Sequence, residues 1–223
     1  MAEITLFEAQ NQCGESPIWD PRTATLSWVD TEKPLLSALS DRSAQAVTLQ
    51  TSRRVQAIGL RRAGGWVSVA RDGLARPTAR KRASSMEMWV RRIVAYDFDV
   101  QAGALSRRRV LVTVPESEGY PDGLIVDEEG CLWSGHWQGF RITCCDPDGR
   151  KVRHVDVPVP TATCKAFGGP DLDRLYITTA KKGLTPEQLA AYPSAYPSAY
   201  PSAGDLFMVR PGGRGRPEHE FAG

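Results

Sequence analysis

Two carboxylates stand where the chain changes direction. Glu15 lies in Cys13-Gly-Glu-Ser-Pro17 and Asp122 in Gly119-Tyr-Pro-Asp-Gly-Leu-Ile-Val126. Each is flanked by small residues, Pro or Gly, and each precedes a β-rich run, the composition expected of loops that turn into a central channel. Read singly, both are turn residues. Brought together, they would suit a hard divalent cation, because such ions take oxygen ligands. Whether they meet is a question of fold.

Other chemistry is sparse. No G-x-S-x-G elbow, P-loop, H-E-x-x-H or G-x-G-x-x-G occurs. His136, His154 and His219 share no ligand spacing and read as surface or strand histidines. His136, in Ser134-Gly-His-Trp-Gln-Gly139, follows a strand that should end near the channel axis. The cysteines (Cys13, Cys131, Cys144, Cys145 and Cys164) are odd in number and contain no C-x-x-C pair. They read as buried or half-buried thiols of a reducing compartment, not as a zinc ribbon or disulfide framework.

The elements that must position these groups are short strands. Thr25–Val29, Gly65–Ala70, Gly130–Ser134 and Arg174–Thr179 are β-rich runs that follow turn residues. Arg92–Phe98, Arg141–Asp146 and Asp205–Arg210 form a second set. Turns are expected at Asp20-Pro-Arg-Thr23, Asp146-Pro-Asp-Gly149 and Pro211-Gly-Gly213. Leu26 to Trp66 spans 40 residues and Leu132 to Leu175 spans 43, the repeat of a four-stranded propeller blade. Such a sheet cannot bury both faces alone, and stacking sheets around an axis solves this. The chain is therefore expected to be all-β, one propeller domain over 1–223.

Two stretches break the rhythm. Residues 75–90, the body of a 75–92 stretch with six basic residues and no turn–strand–turn pattern, read as an irregular junction where propeller sequence is missing. Residues 191–202 are a low-complexity Ala-Tyr-Pro-Ser repeat, expected to be an exposed loop because Pro recurs every fourth residue. Before it, Leu184–Ala190 reads as a helical turn or two, with Thr185 as N-cap and Pro186 at the first helical position.

Composition narrows the function. The net charge is +2 and no run of about 18 apolar residues occurs, so neither nucleic acid nor membrane is an expected partner. The N-terminus lacks the basic-then-apolar pattern of a secretory signal. A cytoplasmic location is the expectation.

Several words resemble one family, the regucalcin, gluconolactonase and luciferin-regenerating-enzyme propellers of six blades. They are Gly14-Glu-Ser-Pro-Ile-Trp-Asp20 with Leu26-Ser-Trp-Val-Asp30, Pro121-Asp-Gly-Leu124 with Glu129-Gly-Cys-Leu-Trp133, Phe167-Gly-Gly-Pro-Asp-Leu-Asp173 with Leu175-Tyr-Ile-Thr178, and Gly204-Asp-Leu-Phe207. They occur in family order and cover about 12–74 and 91–223. The resemblance implies hydrolysis of a sugar lactone with one divalent metal (Ca2+, Zn2+ or Mn2+) on the axis. It implies Glu15 as a metal ligand, and Asp122 as both ligand and catalytic proton donor/acceptor. The family's asparagine ligand, in an N-G-L word, and its substrate-positioning R-x-N-D-G word are absent. Both would fall between Gly73 and Arg91. A propeller shortened to about four to five blades is expected, with the 55–75 and 91–114 strands forming one hybrid sheet.

Two alternatives stand beside a working lactonase. One is a propeller that kept its shell but lost catalysis, left as a metal-binding or binding module. The other is a protein-interaction propeller using the basic junction or the Ala-Tyr-Pro-Ser loop.

Overall fold

The computed structural model describes residues 3–43, 45–70, 82–99, 101–102, 104–189 and 200–222. Its strands are β1 (Thr5–Phe7), β2 (Gly14–Asp20), β3 (Thr25–Asp30), β4 (Leu35–Ser40), β5 (Val47–Gln50), β6 (Val55–Leu60), β7 (Trp66–Ala70), β8 (Arg82–Glu87) and β9 (Arg92–Asp99). There follow β10 (Ala104–Thr113), β11 (Tyr120–Val126), β12 (Leu132–Trp137), β13 (Arg141–Cys145), β14 (Lys151–Asp156), β15 (Ala162–Gly168), β16 (Arg174–Thr179) and β17 (Leu206–Val209). All seven runs read from sequence are strands.

The strands form separate small antiparallel sheets, in the orders β2-β3-β4-β5, β6-β7, β8-β9-β10, β11-β12-β13-β14 and β1-β17-β16-β15. First strands adjoin first strands: β15 packs between β2 and β11, β2 also meets β6, and β11 meets β8. This is the propeller arrangement, in which each sheet buries its faces on its neighbours. The expected hybrid does not form among the described residues. The 55–70 strands and the 92–113 strands lie in two different sheets, because Arg82–Glu87 is itself a strand and pairs along β9 from Glu87↔Arg92 to Arg82↔Asp97. That part of the 75–90 junction is thus regular, and residues 71–81 lie outside the described residues.

The core sits between sheets. Trp133, Ile142, Phe167, Leu175, Ile177 and Phe207 fill one interface. Trp19, Leu26, Trp28, Leu39, Tyr176 and Leu206 fill the next, where Trp19 stacks on Tyr176 with ring centroids 6.1 Å apart. The last sheet is completed by the N-terminal strand: β1 pairs β17, with Leu6 opposite Phe207.

Local punctuation follows the sequence. The Thr185 hydroxyl accepts the Gln188 N–H at 3.3 Å, as an N-cap should, although the segment makes a turn and not a helix. Most of the Ala-Tyr-Pro-Ser repeat (191–199) lies outside the described residues. At its end, Tyr200 meets Phe140 edge-on at 5.4 Å.

Candidate active site

Each of the three strands that meet at the centre carries a register irregularity beside its candidate residue. In β2 it falls between Glu15 and Ile18, in β11 between Asp122 and Leu124, and in β15 between Ala162 and Lys165. Bulges of this kind twist a strand and re-aim a side chain. The residue types permit it. Gly123 has φ +44°, and a Cβ there would lie 2.8 Å from the Thr163 carbonyl oxygen. Ser16 takes φ +51° and is held by its hydroxyl, which accepts the Ile58 N–H at 3.0 Å. Gly135, opposite Asp122 in β12, lets β15 approach so closely that a Cβ would fall 2.4 Å from Thr163 O.

These bends bring Glu15 and Asp122 into one electrostatic field. Both keep a path to solvent. Burial, and next the Asp122 charge, push Glu15 up to about 7. Burial also raises Asp122, opposed by the Lys165 ammonium and by the Gly123 N–H, which donates to Asp122 Oδ1 at 2.9 Å. A neighbouring carboxylate charge disfavours ionisation, and here that effect falls on Glu15.

Several groups that hold the pair are not evident from sequence. Cys164 donates through Sγ to Glu15 Oε2 at 2.8 Å, and Cys13 approaches Glu15 Oε1 at 3.8 Å. Burial, then the Glu15 charge, raise both thiols, Cys13 to about 12. The Thr163 hydroxyl donates to Gly14 O at 2.6 Å. The buried Asp30 carboxylate accepts the Gln12 N–H at 2.7 Å and the Cys13 N–H at 3.2 Å, fixing the approach to Glu15.

The most consequential of them is Lys165, 2% exposed. Its ammonium donates to the carbonyl oxygens of Asp122 (2.9 Å) and Gly123 (2.5 Å). Burial draws it down to about 8, opposed by Cys164, Asp122 and Glu15. It is a fixed cation directly behind the acidic pair. The visible sequence signal was a lone charge in the otherwise neutral run Ala162-Thr-Cys-Lys-Ala-Phe-Gly168.

The histidines do not join. His136 lies inside β12, buried, with Nδ1 2.6 Å from Glu118 O, and burial lowers its pKa. His154 is on β14 beside Asp156, and His219 lies in the C-terminal segment that follows β17. Asparagine is also accounted for. Asn11 is the single asparagine of the sequence, and its amide is committed to Gly204 O at 3.0 Å.

The donor chemistry fits a hard divalent ion: two carboxylates whose pKa values are raised first by burial, each with a path to solvent, on bends that aim them inward. Glu15 and Asp122 are the residues that would hold it. Among the described residues, the three-donor group whose atoms lie within 4.8 Å of one another is elsewhere, at Asp127, Cys131 and Cys144.

Small antiparallel sheets of two to four strands, packed first strand against first strand, define a β-propeller, with Glu15 and Asp122 as its candidate hub site. The sequence profile of the SMP-30/gluconolactonase/LRE-like region matches residues 13–90 and 83–181, and the chain belongs to that family. It is 37% identical over 147 residues to pentonolactonase XacC of Haloferax volcanii, covering 66% of this chain and 49% of that protein. To regucalcin of Danio rerio it is 26% identical over 295 aligned positions, covering 98% and 97%. To regucalcin of Oryctolagus cuniculus it is 36% identical, spanning 41% of that protein. The fold superimposes on a luciferin-regenerating enzyme with a TM-score of 0.82 at 20% identity, covering all of both chains. It superimposes on a calcium-binding regucalcin of Agrobacterium tumefaciens with a TM-score of 0.78 at 18% identity, covering 96% and 95%.

Proposed function

We propose that this chain hydrolyses a sugar lactone, with one divalent ion of the Ca2+, Zn2+ or Mn2+ kind held by Glu15 and Asp122, and with Asp122 as the proton acceptor and donor. The observation that carries this reading is the shared field of Glu15 and Asp122, set on bent strands and backed by Lys165. Membership of a family whose relatives include a pentonolactonase supports it.

A lactone is a cyclic ester, and its hydrolysis consumes one water and yields one hydroxy acid. The bound ion supplies positive charge to polarise the carbonyl and acidify water. The chain's own groups do the rest. Asp122, fixed through Oδ1 by the Gly123 N–H, accepts a proton from the attacking water through its carboxylate. It returns that proton to the ring oxygen as the acyl–oxygen bond breaks, and ends as it began. Lys165 clamps the Asp122–Gly123 peptide, and Cys164 with Cys13 orients Glu15.

The test is acid release from a sugar lactone with Ca2+, Zn2+ or Mn2+ added. A rate no higher than the spontaneous one, with Asp122→Ala indistinguishable from the parent, overturns the reading. The second reading, an inactive binding propeller, draws on the committed amide of Asn11 and the cation at Lys165. It requires weak or absent metal binding at Glu15 and Asp122 in a calorimetric titration.

A further inference from the structure

At the opposite end of β11 from Asp122 lies a second cluster of donors. Asp127 follows Asp122 by five positions, about 16 Å if the chain were fully extended, and lies past the far end of β11, so the two places are distinct. The turn after β11 closes through Gly130, with φ +88°, and the Asp127 N–H donates to Cys131 O at 3.0 Å. Cys131 is thereby folded back over Asp127. On β13, Cys144 sits opposite Trp133, which places its side chain diagonally across from Cys131. The Asp127 carboxylate and both sulfurs lie within 4.8 Å of one another.

The acidic member is already oriented. Asp127 is buried, and its oxygens accept the Cys131 N–H at 2.8 Å and the indole N–H of Trp133 at 2.9 Å. Outer hydrogen bonds of this kind fix a ligand's direction. Cys144 is buried and Cys131 half-buried, so one side of the cluster is reachable from solvent.

We propose that Asp127, Cys131 and Cys144 form a metal centre separate from the hub, for one thiophilic divalent ion of the Zn2+ class. In a tetrahedral site, sulfurs about 2.3 Å and an oxygen about 2.1 Å from the zinc lie about 3.6–3.8 Å apart, so donors already within 4.8 Å of one another close by no more than about 1 Å. Two thiolates and a carboxylate are soft enough to prefer zinc to calcium. Charge closes as well: three negative ligands are matched by the divalent ion and by Arg153, whose guanidinium lies 5.9 Å from the Trp133 ring centre and is felt by both thiols. Binding exchanges two thiol protons for two metal–sulfur bonds, and the protons leave to solvent. Water takes the fourth position on the Cys131 side. The centre would staple the β11–β12 turn to β13 in the sheet that carries Asp122.

The test uses Co2+ as a spectroscopic probe on the full chain, kept reduced with a phosphine. The expected result is one equivalent that gives a thiolate-to-cobalt absorption band with proton release, any ion taken up by the hub carboxylates adding no thiolate band that depends on Cys131 and Cys144. Affinity in that band should fall at least about tenfold in Cys131→Ser, which alters a half-buried position, and in Cys144→Ser. It should persist in Cys13→Ser/Cys164→Ser, which removes the hub thiols. Zn2+ should also shield Cys131 of the unmodified protein from alkylation, read by mass spectrometry. No thiolate band at saturating Co2+, a band that survives loss of Cys131 and Cys144, or a band that disappears with Cys13 and Cys164 overturns the proposal. None of these outcomes depends on lactone hydrolysis.

Discussion

Cys164 and Glu15, 149 positions apart, meet through a thiol–carboxylate hydrogen bond of 2.8 Å. The bond joins the sheet holding β15 to the sheet holding β2 at the point where both bend. On the other side of β15, Lys165 joins the same sheet to β11. Two adjacent residues of one strand therefore bind the two carboxylate-bearing strands, one to each side.

Asp122→Asn should lower lactone hydrolysis by about 10²–10⁴-fold, the usual contribution of a positioned proton carrier. The shape is nearly unchanged, so far-UV circular dichroism should match the parent. Activity within a fewfold of the parent in a pH-stat assay would remove Asp122 from the chemistry.

Glu15 makes stability pH-dependent in the metal-free protein. Its folded pKa is raised to about 7, while the unfolded chain titrates near the ordinary glutamate value of about 4.3. Between these values the native state keeps a proton that the unfolded state has lost. The contribution is thus present in full below about pH 4.3 and is lost as pH rises through about 7, on the order of 3 kcal/mol in all. Glu15→Gln should flatten this fall in urea denaturation measured with chelator at pH 5 and pH 8. Parallel slopes for variant and parent would contradict the assignment.

Lys165→Met should leave two buried carbonyl oxygens unpaired and the acidic pair without its cation. Losing one partner of a buried charge group costs about 3–5 kcal/mol, a drop in Tm on the order of 10 °C for a chain of this size. The same change should raise the pKa of Asp122 and move the acidic limb of the pH–rate profile upward. A purely structural lysine would lower Tm and leave that limb in place.

Gly135→Ala should fold poorly, because the new Cβ would meet three backbone oxygens, of Thr163, Ala162 and Asp122, at 2.4, 2.7 and 2.9 Å. Backbone cannot rotate away as a side chain can, so a loss of several kcal/mol follows. Soluble yield and thermal unfolding measure it, with Gly64→Ala in an open turn as a comparison that tests strain without crowding.

Much of the fold is legible because each strand needs few residues and is set off by Gly, Pro or Asp. Thr25–Asp30 and Arg174–Thr179 declare themselves this way. Arg82–Glu87 does not: its Arg-Ala-Ser-Ser-Met-Glu has neither alternation nor apolar weight, and pairing with β9 makes it a strand. The hub divides along similar lines. Glu15 and Asp122 are marked by the Gly and Pro that their bends require. Lys165 and Cys164 sit in an ordinary-looking run, and their roles arise from an irregularity between Ala162 and Lys165 that period-two reading cannot locate. Asp127, Cys131 and Cys144 escape for another reason. Their juxtaposition comes from the register of β12 on β13, and no spacing along the chain encodes it.

The pairing of Leu6 with Phe207 orders events in time. A ribosome releases β1 before every other described strand and its partner β17 after all of them, so β1 must wait while the intervening sheets take shape. The sheet that supplies Cys164 and Lys165 is therefore completed last. Until β15 has left the ribosome the two carboxylates have no common clasp, and the sheet that supplies it is complete only once β17 has followed.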